Sequence, residues 1–441
     1  MNGDRAATAP AKPLGIAIAG LGTVGAGVVR ILHEQAALVA ARAGRPLTIR
    51  AVSARNREAD RGIDISAFDW ADNCVDLAGR EDVDVVVEVI GGSDGMAKAL
   101  VEAALDNGKH VVTANKALLA HHGVPLALAA EAAGVALSFE GAVAGGIPVI
   151  KGLREGLAAN AVDRIVAILN GTCNFILRMM EDEGASFEDA VRAAQDAGFA
   201  ETDPTTDVGG FDAAHKLAIL VSIAFGTRVN VDLVRTRGIE AITREDIAMA
   251  AELGYRIKLL AVASRRNGGF VQRVEPSLVP LESPLAHVSG PGNAVQIAGD
   301  AVGLVDFNGP GAGQGPTASA VVADLIDIAR GTRLPVFGVP AGALAVAPAA
   351  TDDEPAQHYL RFLVPDRKGV MATVTRLLAD QDISIETMIQ RPEEDHEPGA
   401  NMPVIMITYP AGAASVRRAV DAIADQHILA APPQIIRVEG T

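Results

Sequence analysis

The 441-residue chain has little cysteine and little aromatic content: two cysteines, one tryptophan and three tyrosines, with aromatics at 3%. Cys74 and Cys173 lie far apart and form no metal-spaced pair. That argues against a disulfide framework or a zinc site and suits a reducing, cytoplasmic compartment. No stretch concentrates lysine and arginine, and 38 basic against 54 acidic residues leave a formal net charge of −16. Neither nucleic acid nor an anionic membrane surface is expected as a partner. No uncharged segment reaches the run of about 18 apolar residues that a membrane-spanning helix needs. The apolar run after Arg5 and Lys12 is interrupted by glycines and lacks a separate hydrophobic region, so it does not read as a secretion signal. Residues 1–12 read as a short disordered tail. Hydrophobic residues, at 49%, supply ample core, much of it alanine and glycine, and the length implies two or three domains.

Strand-like and helix-like segments alternate from 13 to 140. LGIAIAG, LTIRAVSA, DVDVVVEVIG, KHVVTAN and VALSFEG read as strands, separated by helices such as TVGAGVVRILHEQAALVA and KALLAHHGVPLALAAEAAG. Near-continuous Val/Ile runs mark strands buried on both faces, so the fold class is α/β with a doubly wound, Rossmann-type parallel sheet. From 141 to 315 the rhythm changes to a mixed α+β substrate-binding and dimerisation domain. There REDIAMAAELGYRIKLLAVAS is expected to be helical and 265–309 to alternate short strands with turns. Helix 316–331 is expected to return to the nucleotide-binding domain. VAPAATDDEPAQ, 346–357, reads as a linker. Residues 358–438 then follow the order βαββαβ of a separate ferredoxin-like module.

Gly20, Gly22 and Gly25 match the G-x-G-x-x-G pattern, with Thr23 and Val24 inside it. They end a strand and open a helix, which turns backbone N–H groups toward a pyrophosphate. The acidic residue usual at the end of the second strand is missing. Ser53, Arg55 and Arg57 stand there and could accept a 2′-phosphate, so NADP(H) is expected to be preferred over NAD(H). Asn115 and Lys116 lie just past a parallel strand, beside Gly91 in IGGS, where ligands of open α/β sheets gather. Lys116 is either a solvated helix-start lysine, which the helix dipole disfavours, or a functional one. Glu201, Asp203, Asp207 and Asp212 fall within twelve residues. Asp212 and Lys216 sit at i, i+4 on a helix whose continuation, LAILVSIAF, belongs in a core, so Lys216 is either paired or functional. A lysine ammonium can protonate the alkoxide that hydride delivery to an aldehyde leaves. Nearby acids could hold a substrate ammonium. Cys173 reads as a small buried cysteine, since no local base or further cation would activate it as a nucleophile.

GLGTVGAGV, HVVTANKALLA, FEGAVAGGIPVIKGLREGLAAN, ILNGTCNFIL, GFAETDPTTDVGGFDAAHKLAIL and GPTASAVVADL together resemble homoserine dehydrogenase, from about 14 to 435. The resemblance implies reduction of L-aspartate 4-semialdehyde to L-homoserine with NAD(P)H, by a homodimer or homotetramer. It implies that Lys116 and Lys216 are the two active-site lysines, with Lys216 the acid/base and Asp212 beside it. Glu201, Asp207 and Asp212 become substrate carboxylates, and Gly171, Thr172 and Asn174 the substrate-side loop. Thr113 and Gly315 join the cofactor residues. Backbone carbonyls of Glu140, Val143, Gly145 and Ile147 would hold a monovalent cation, sodium.

VPDRKGVMATVTRLLADQDISIETMIQ resembles an ACT domain, for which threonine is the expected effector. Lys368 replaces a proline common in that family, and TYPAGAAS replaces a histidine-containing turn. Two rival readings are carried: a cysteine-dependent semialdehyde dehydrogenase using Cys173, and a non-catalytic NADP-binding amino-acid sensor.

Overall fold

A computed structural model describes residues 12–266, 269–346, 348, 350–352, 354–391 and 400–440. The tail expected at 1–12 lies outside these except for Lys12, as do three residues of the linker. The first sheet contains β1 (Leu14–Ala19), β2 (Leu47–Ser53), β3 (Asp69–Trp70), β4 (Val85–Glu88), β5 (His110–Thr113) and β6 (Leu137–Ser138). All pairs are parallel and the order is β3-β2-β1-β4-β5-β6. β1 and β4 are buried along their whole length, as their unbroken apolar runs require. Four helices cover the faces: α1 (Thr23–Glu34), α2 (Ala36–Ala43), α3 (Met96–Asp106) and α4 (Lys116–Ala133). The single helix expected after Gly22 is in fact two, bent by 85°. Gln35 leaves helical geometry there, and the bend lets Leu32 and Val39 reach the same core. Among the described residues, no single helix is long and apolar enough to cross a membrane. The last expected strand is shorter than VALSFEG, because the chain coils into a 3-10 turn at Glu140–Ala142.

After a short turn of helix, α5 (Val149–Lys151), the second sheet begins with β7 (Val162–Ile168). Helices α6 (Gly171–Glu183), α7 (Phe187–Asp196), α8 (Thr205–Val208), α9 (Phe211–Phe225) and α10 (Arg244–Glu252) follow, with β8 (Arg235–Thr236) before α10. The helix expected over 244–264 ends at Glu252, and after a turn at Gly254 the chain becomes β9 (Tyr255–Arg266). β9 pairs with β7 and β10 (Gly269–Pro280), and YRIKLLAVAS is apolar on both sides because both faces are covered: Leu259, Ala261 and Ala263 enter one core and Leu260 and Val262 another, so the buried strand shows no alternation. β11 (Gly292–Gly299) and β12 (Gly303–Pro310) complete this part. Helix α11 (Gln314–Arg330) then packs on α1, placing Ala318, Val321 and Leu325 in the core of the first sheet.

The C-terminal module runs β13 (His358–Pro365), α12 (Val370–Ala379), β14 (Ile385–Gln390), β15 (Asn401–Thr408), α13 (Ala413–Ala424) and β16 (Gln434–Val438). Leu360, Phe362, Val374, Val404 and Val416 form its own core. Its sheet nevertheless continues the substrate domain's, because β16 pairs in parallel with β10 at Ser277–Arg437 and Leu278–Val438. Together they make one ten-stranded sheet.

Candidate active site

Backbone geometry shapes the nucleotide cleft. Gly20 adopts φ +99°, and a Cβ there would sit 2.5 Å from the Val89 carbonyl oxygen. A Cβ on Gly25 would lie 1.9 Å from the carbonyl oxygen of Gly20, so strand and helix meet only through hydrogen. Gly22 faces open space and caps α1 without a side-chain acceptor, leaving the N–H groups of Thr23 and Val24 at a helix N-terminus suited to phosphate. A cavity of about 760 Å³ opens here, bordered by Gly20, Gly22, Ser53, Arg55 and Gly91. Arg57 is not part of its wall; its guanidinium stacks 5.6 Å from the Trp70 ring centroid. Arg61 lines the cavity in its place, donating to the carbonyls of Asn56 and Ala59. Gly315 lies in the first turn of α11, where Gln314 accepts from Arg30 of α1 at 3.0 Å.

Glu88, fully buried at the end of β4, organises the neighbouring turn. Its carboxylate accepts from the backbone of Ile90 and Gly91 and, at 2.6 Å, from the Thr113 hydroxyl. The Thr113 hydroxyl in turn accepts from the Asn115 N–H, and the Asn115 amide donates to the Gly92 carbonyl at 2.7 Å. Sequence reasoning missed Glu88, although an acid closing a β-branched buried strand was a visible signal.

Asp212 joins the two domains. Lys216 Nζ lies 2.7 Å from Asp212 Oδ2, and Lys116 Nζ lies 3.1 Å from Oδ1. Asn170 donates to Asp212 at 2.9 Å and to Asp207 at 2.7 Å. Lys216 also donates to the Leu169 carbonyl at 2.8 Å. An ammonium has three N–H bonds, so one of Lys216's remains for a ligand. Burial raises the Asp212 pKa, but Lys216 and Lys116 outweigh it and hold the carboxyl below its ordinary range. The charge of Asp212 raises Lys116 against burial, so that amine stays protonated. Burial raises Asp207 despite its bond to Asn170. Asn170, the N-cap of α6, had not been singled out; its place just before the helix start in LNGT was the signal.

The other predicted residues divide. Glu201 is exposed, and its charge reaches Lys116. Gly171 opens α6, and Thr172 behind it donates to the Phe199 carbonyl at 2.8 Å. Asn174 is turned away from the lysines. Its amide donates to the carbonyls of Val288 and Gly290, and its oxygen accepts from buried Lys258 at 2.7 Å. Spent on these partners, Asn174 supports the loop rather than offering a group to a ligand. Cys173 is fully buried, its thiol raised well above the ordinary value first by burial, with Sγ 3.1 Å from the Asp207 carbonyl oxygen. His215 stacks edge-on against His121.

The loop 140–147 turns back on itself, with φ +56° at Ala144 and +49° at Gly145. No hydrogen bond to the carbonyls of Val143 or Gly145 is found among the described residues, whereas that of Ile147 accepts from Val149. The Glu140 carboxylate accepts from the backbone of Ile150 and Lys151, and burial together with Asp324 pushes its pKa up to about 7.

A parallel sheet with a glycine turn, facing two lysines on a shared buried aspartate, defines an oxidoreductase of the nicotinamide-dependent class. Residues 20–140 match the family described as homoserine dehydrogenase, NAD binding domain; 148–326 match homoserine dehydrogenase; 358–426 match the ACT domain. A homoserine dehydrogenase of Pseudomonas aeruginosa is 44% identical over 97% of this chain and 99% of its own. One from Mycobacterium tuberculosis is 43% identical over 98% of each. The crystal structure of a Thiobacillus denitrificans homoserine dehydrogenase superposes with a TM-score of 0.90 at 42% identity, over 97% of this chain and 98% of that one. The chain belongs to the homoserine dehydrogenase family.

Proposed function

We propose that the chain reversibly reduces L-aspartate 4-semialdehyde to L-homoserine, with NADP(H) preferred over NAD(H). The observation that carries this reading is Asp212, shared by a lysine from each domain. A nicotinamide cofactor, its pyrophosphate held at Gly20–Gly25, would supply the hydride. Lys216 directs its free N–H at the carbonyl oxygen and passes that proton to the alkoxide, while Asp212 and the Leu169 carbonyl keep the amine in place. Lys116 adds a second positive charge where negative charge develops. Glu201 and Asp207 hold the substrate's ammonium, with Gly171 and Thr172 framing the pocket. Thr113 and Asn115 position the cofactor side through the 90–92 turn, and Gly315 closes it from α11.

The 2′-phosphate falls to Ser53, Arg55 and, in place of Arg57, Arg61. A relative described as a hyperthermophilic archaeal homoserine dehydrogenase in complex with NADPH supports this, at 26% identity and a TM-score of 0.62 over 73% of this chain. The unengaged carbonyls of Val143 and Gly145 support a sodium ion held by Glu140, Val143, Gly145 and Ile147. Edge strands β12 and β14 expose Leu304 and Met388, which supports a homodimer or homotetramer. The free thiols of Cys74 and Cys173 support a reducing cytoplasm. Threonine is the effector assigned to the ACT module. The test is consumption of NADPH, and separately of NADH, with aspartate semialdehyde, with and without threonine. A higher kcat/KM for NADPH is expected; an NADH preference would overturn the cofactor assignment.

A further inference from the structure

Outside the lysine–aspartate centre, a dense cluster of charged side chains lies where the ACT module meets the substrate domain. A cavity of about 310 Å³ opens between β8 and α13. Arg235, Arg237, Arg417 and Arg437 line it, with Glu275 as the acid in its wall. Arg235 pairs with Glu275 and Asp352, and Arg237 with Glu275, which leaves the wall's four arginines only partly matched by its single acid. The Arg437 side chain is 7% exposed, yet its Nε and Nη1 have no hydrogen-bond partner among the described residues. The nearest acid oxygens, on Asp352 and Glu439, stand 3.7 and 3.8 Å away, beyond hydrogen-bond reach. The Arg237 Nε and His358 Nδ1 atoms are also buried and unpaired, although the Arg237 side chain as a whole is half-exposed and its Nη1 donates to the Ile435 carbonyl. Burial, reinforced by Arg437, lowers the His358 pKa to about 4, so the ring is neutral near pH 7. The first turn of α13 completes the wall with Ala413 and Val416, and its N-cap, Gly412, offers no side-chain acceptor.

We propose that this cleft is a second ligand site, taking the carboxylate or phosphate group of a small anionic metabolite. Buried donors left unpaired are costly, and an oxyanion satisfies several at once through charge-assisted bonds. The N–H groups at the start of α13 add to the same attraction. Val416, Ala413 and Ile435 leave room for a short apolar body.

The site is also built into the catalytic segment. Arg237 donates its backbone N–H to Val274, and Ile239, two residues on, donates to the Val208 carbonyl at 2.9 Å. Between them a Cβ on Gly238 would lie 2.3 Å from that oxygen and 2.7 Å from Gly209 Cα. Val208–Gly210 is the turn that joins Asp207 to Asp212. An anion that draws Arg237 inward therefore presses on the stretch carrying two active-site carboxylates. This regulatory half rests on the proposed function; the binding half does not.

Calorimetry on the full chain tests the binding half. The nucleotide cleft is filled with NADPH, chloride fixes the ionic strength, and inorganic phosphate and acetate are titrated separately. Saturable binding of one of them is expected, weakened at least about tenfold in Arg417→Gln and in Arg237→Gln, as loss of a charge-assisted bond implies. Arg417 is exposed, so its replacement leaves folding intact. Tighter phosphate binding identifies a phosphorylated ligand, and tighter acetate binding a carboxylate. Equal affinity in wild type and both variants, meaning an adventitious ion only, would overturn the proposal, as would no saturable binding of either anion. In turnover assays the bound anion should change KM for the semialdehyde in wild type and not in Arg417→Gln; an unchanged wild-type KM overturns the coupling. Failure of the catalytic assignment would show instead as absent turnover with and without anion, while the calorimetry still reads out.

Discussion

Two buried aspartates, Asp212 and Asp246, each lie in the first turn of a helix and each meet cations, yet they serve opposite ends. Asp246 is saturated. Its oxygens accept from the Tyr359 hydroxyl at 2.9 Å, from Arg361 at 2.7 and 3.2 Å, and from the backbone and hydroxyl of Thr243. Every contact joins helix α10 to its own N-cap or to the ACT strand β13, where Asp246 and Tyr359 are fully buried. Asp212 instead holds two lysines and Asn170, and those lysines keep N–H bonds to spare. A buried carboxylate makes a joint when its donors fasten one packed element to another; under the proposed function it makes a reaction centre when its lysines, one of them half-exposed, can still reach a ligand.

The largest effect should come from the donors of Asp212. Lys216→Ala is expected to lower kcat by at least about 100-fold, the low end for general acid–base catalysis, with NADPH affinity retained. Turnover near the wild-type rate would remove Lys216 from the mechanism. At the joint, Asp246→Ala should leave kcat of the folded enzyme nearly unchanged while costing about 3–5 kcal/mol in denaturant unfolding, because the fully buried Tyr359 hydroxyl and the mostly buried Arg361 both lose their acceptor. A large loss of kcat at full stability would erase the contrast between the two aspartates.

A pH series sharpens it further. His358 has its pKa lowered to about 4 when folded, against 6.5 for an ordinary histidine, so between those values the unfolded chain binds more protons. The corresponding stability is complete above pH 6.5 and lost as pH falls toward 4, on the order of 3 kcal/mol. His358→Gln should flatten unfolding free energy across that window, and an unaltered slope would show that the ring does not titrate there. The smallest effect is expected at Cys173: Cys173→Ser should keep near-wild-type kcat, whereas a thiolate mechanism requires its loss.

Much of the fold was legible because parallel buried strands and glycine turns are local signals. LGIAIAG, DVDVVVE and the βαββαβ order of the C-terminal module each state their own structure. YRIKLLAVAS did not, since a strand buried on both faces and a core helix have the same apolar composition. At the site, the Asp212–Lys216 pair followed from helical spacing. Asn174, placed on the substrate-side loop by the resemblance alone, donates its amide to the 288–290 loop and accepts from Lys258, contacts that no local sequence signal reveals. Arg57 and Arg61 exchanged places because a loop's side-chain directions depend on neighbours such as Trp70.

The sequence alone determined the nucleotide turn, the helical pairing of Asp212 with Lys216, and membership in a family, because these depend on residues a few positions apart or on long runs of matching motif. Tertiary structure decided that Lys116, 96 positions before Asp212, shares that carboxylate, that β16 extends the substrate domain's sheet, and that four arginines surround one cleft. Each of those depends on how separately folded segments close on one another, and buried charge must find its partner across that closure or remain unpaired.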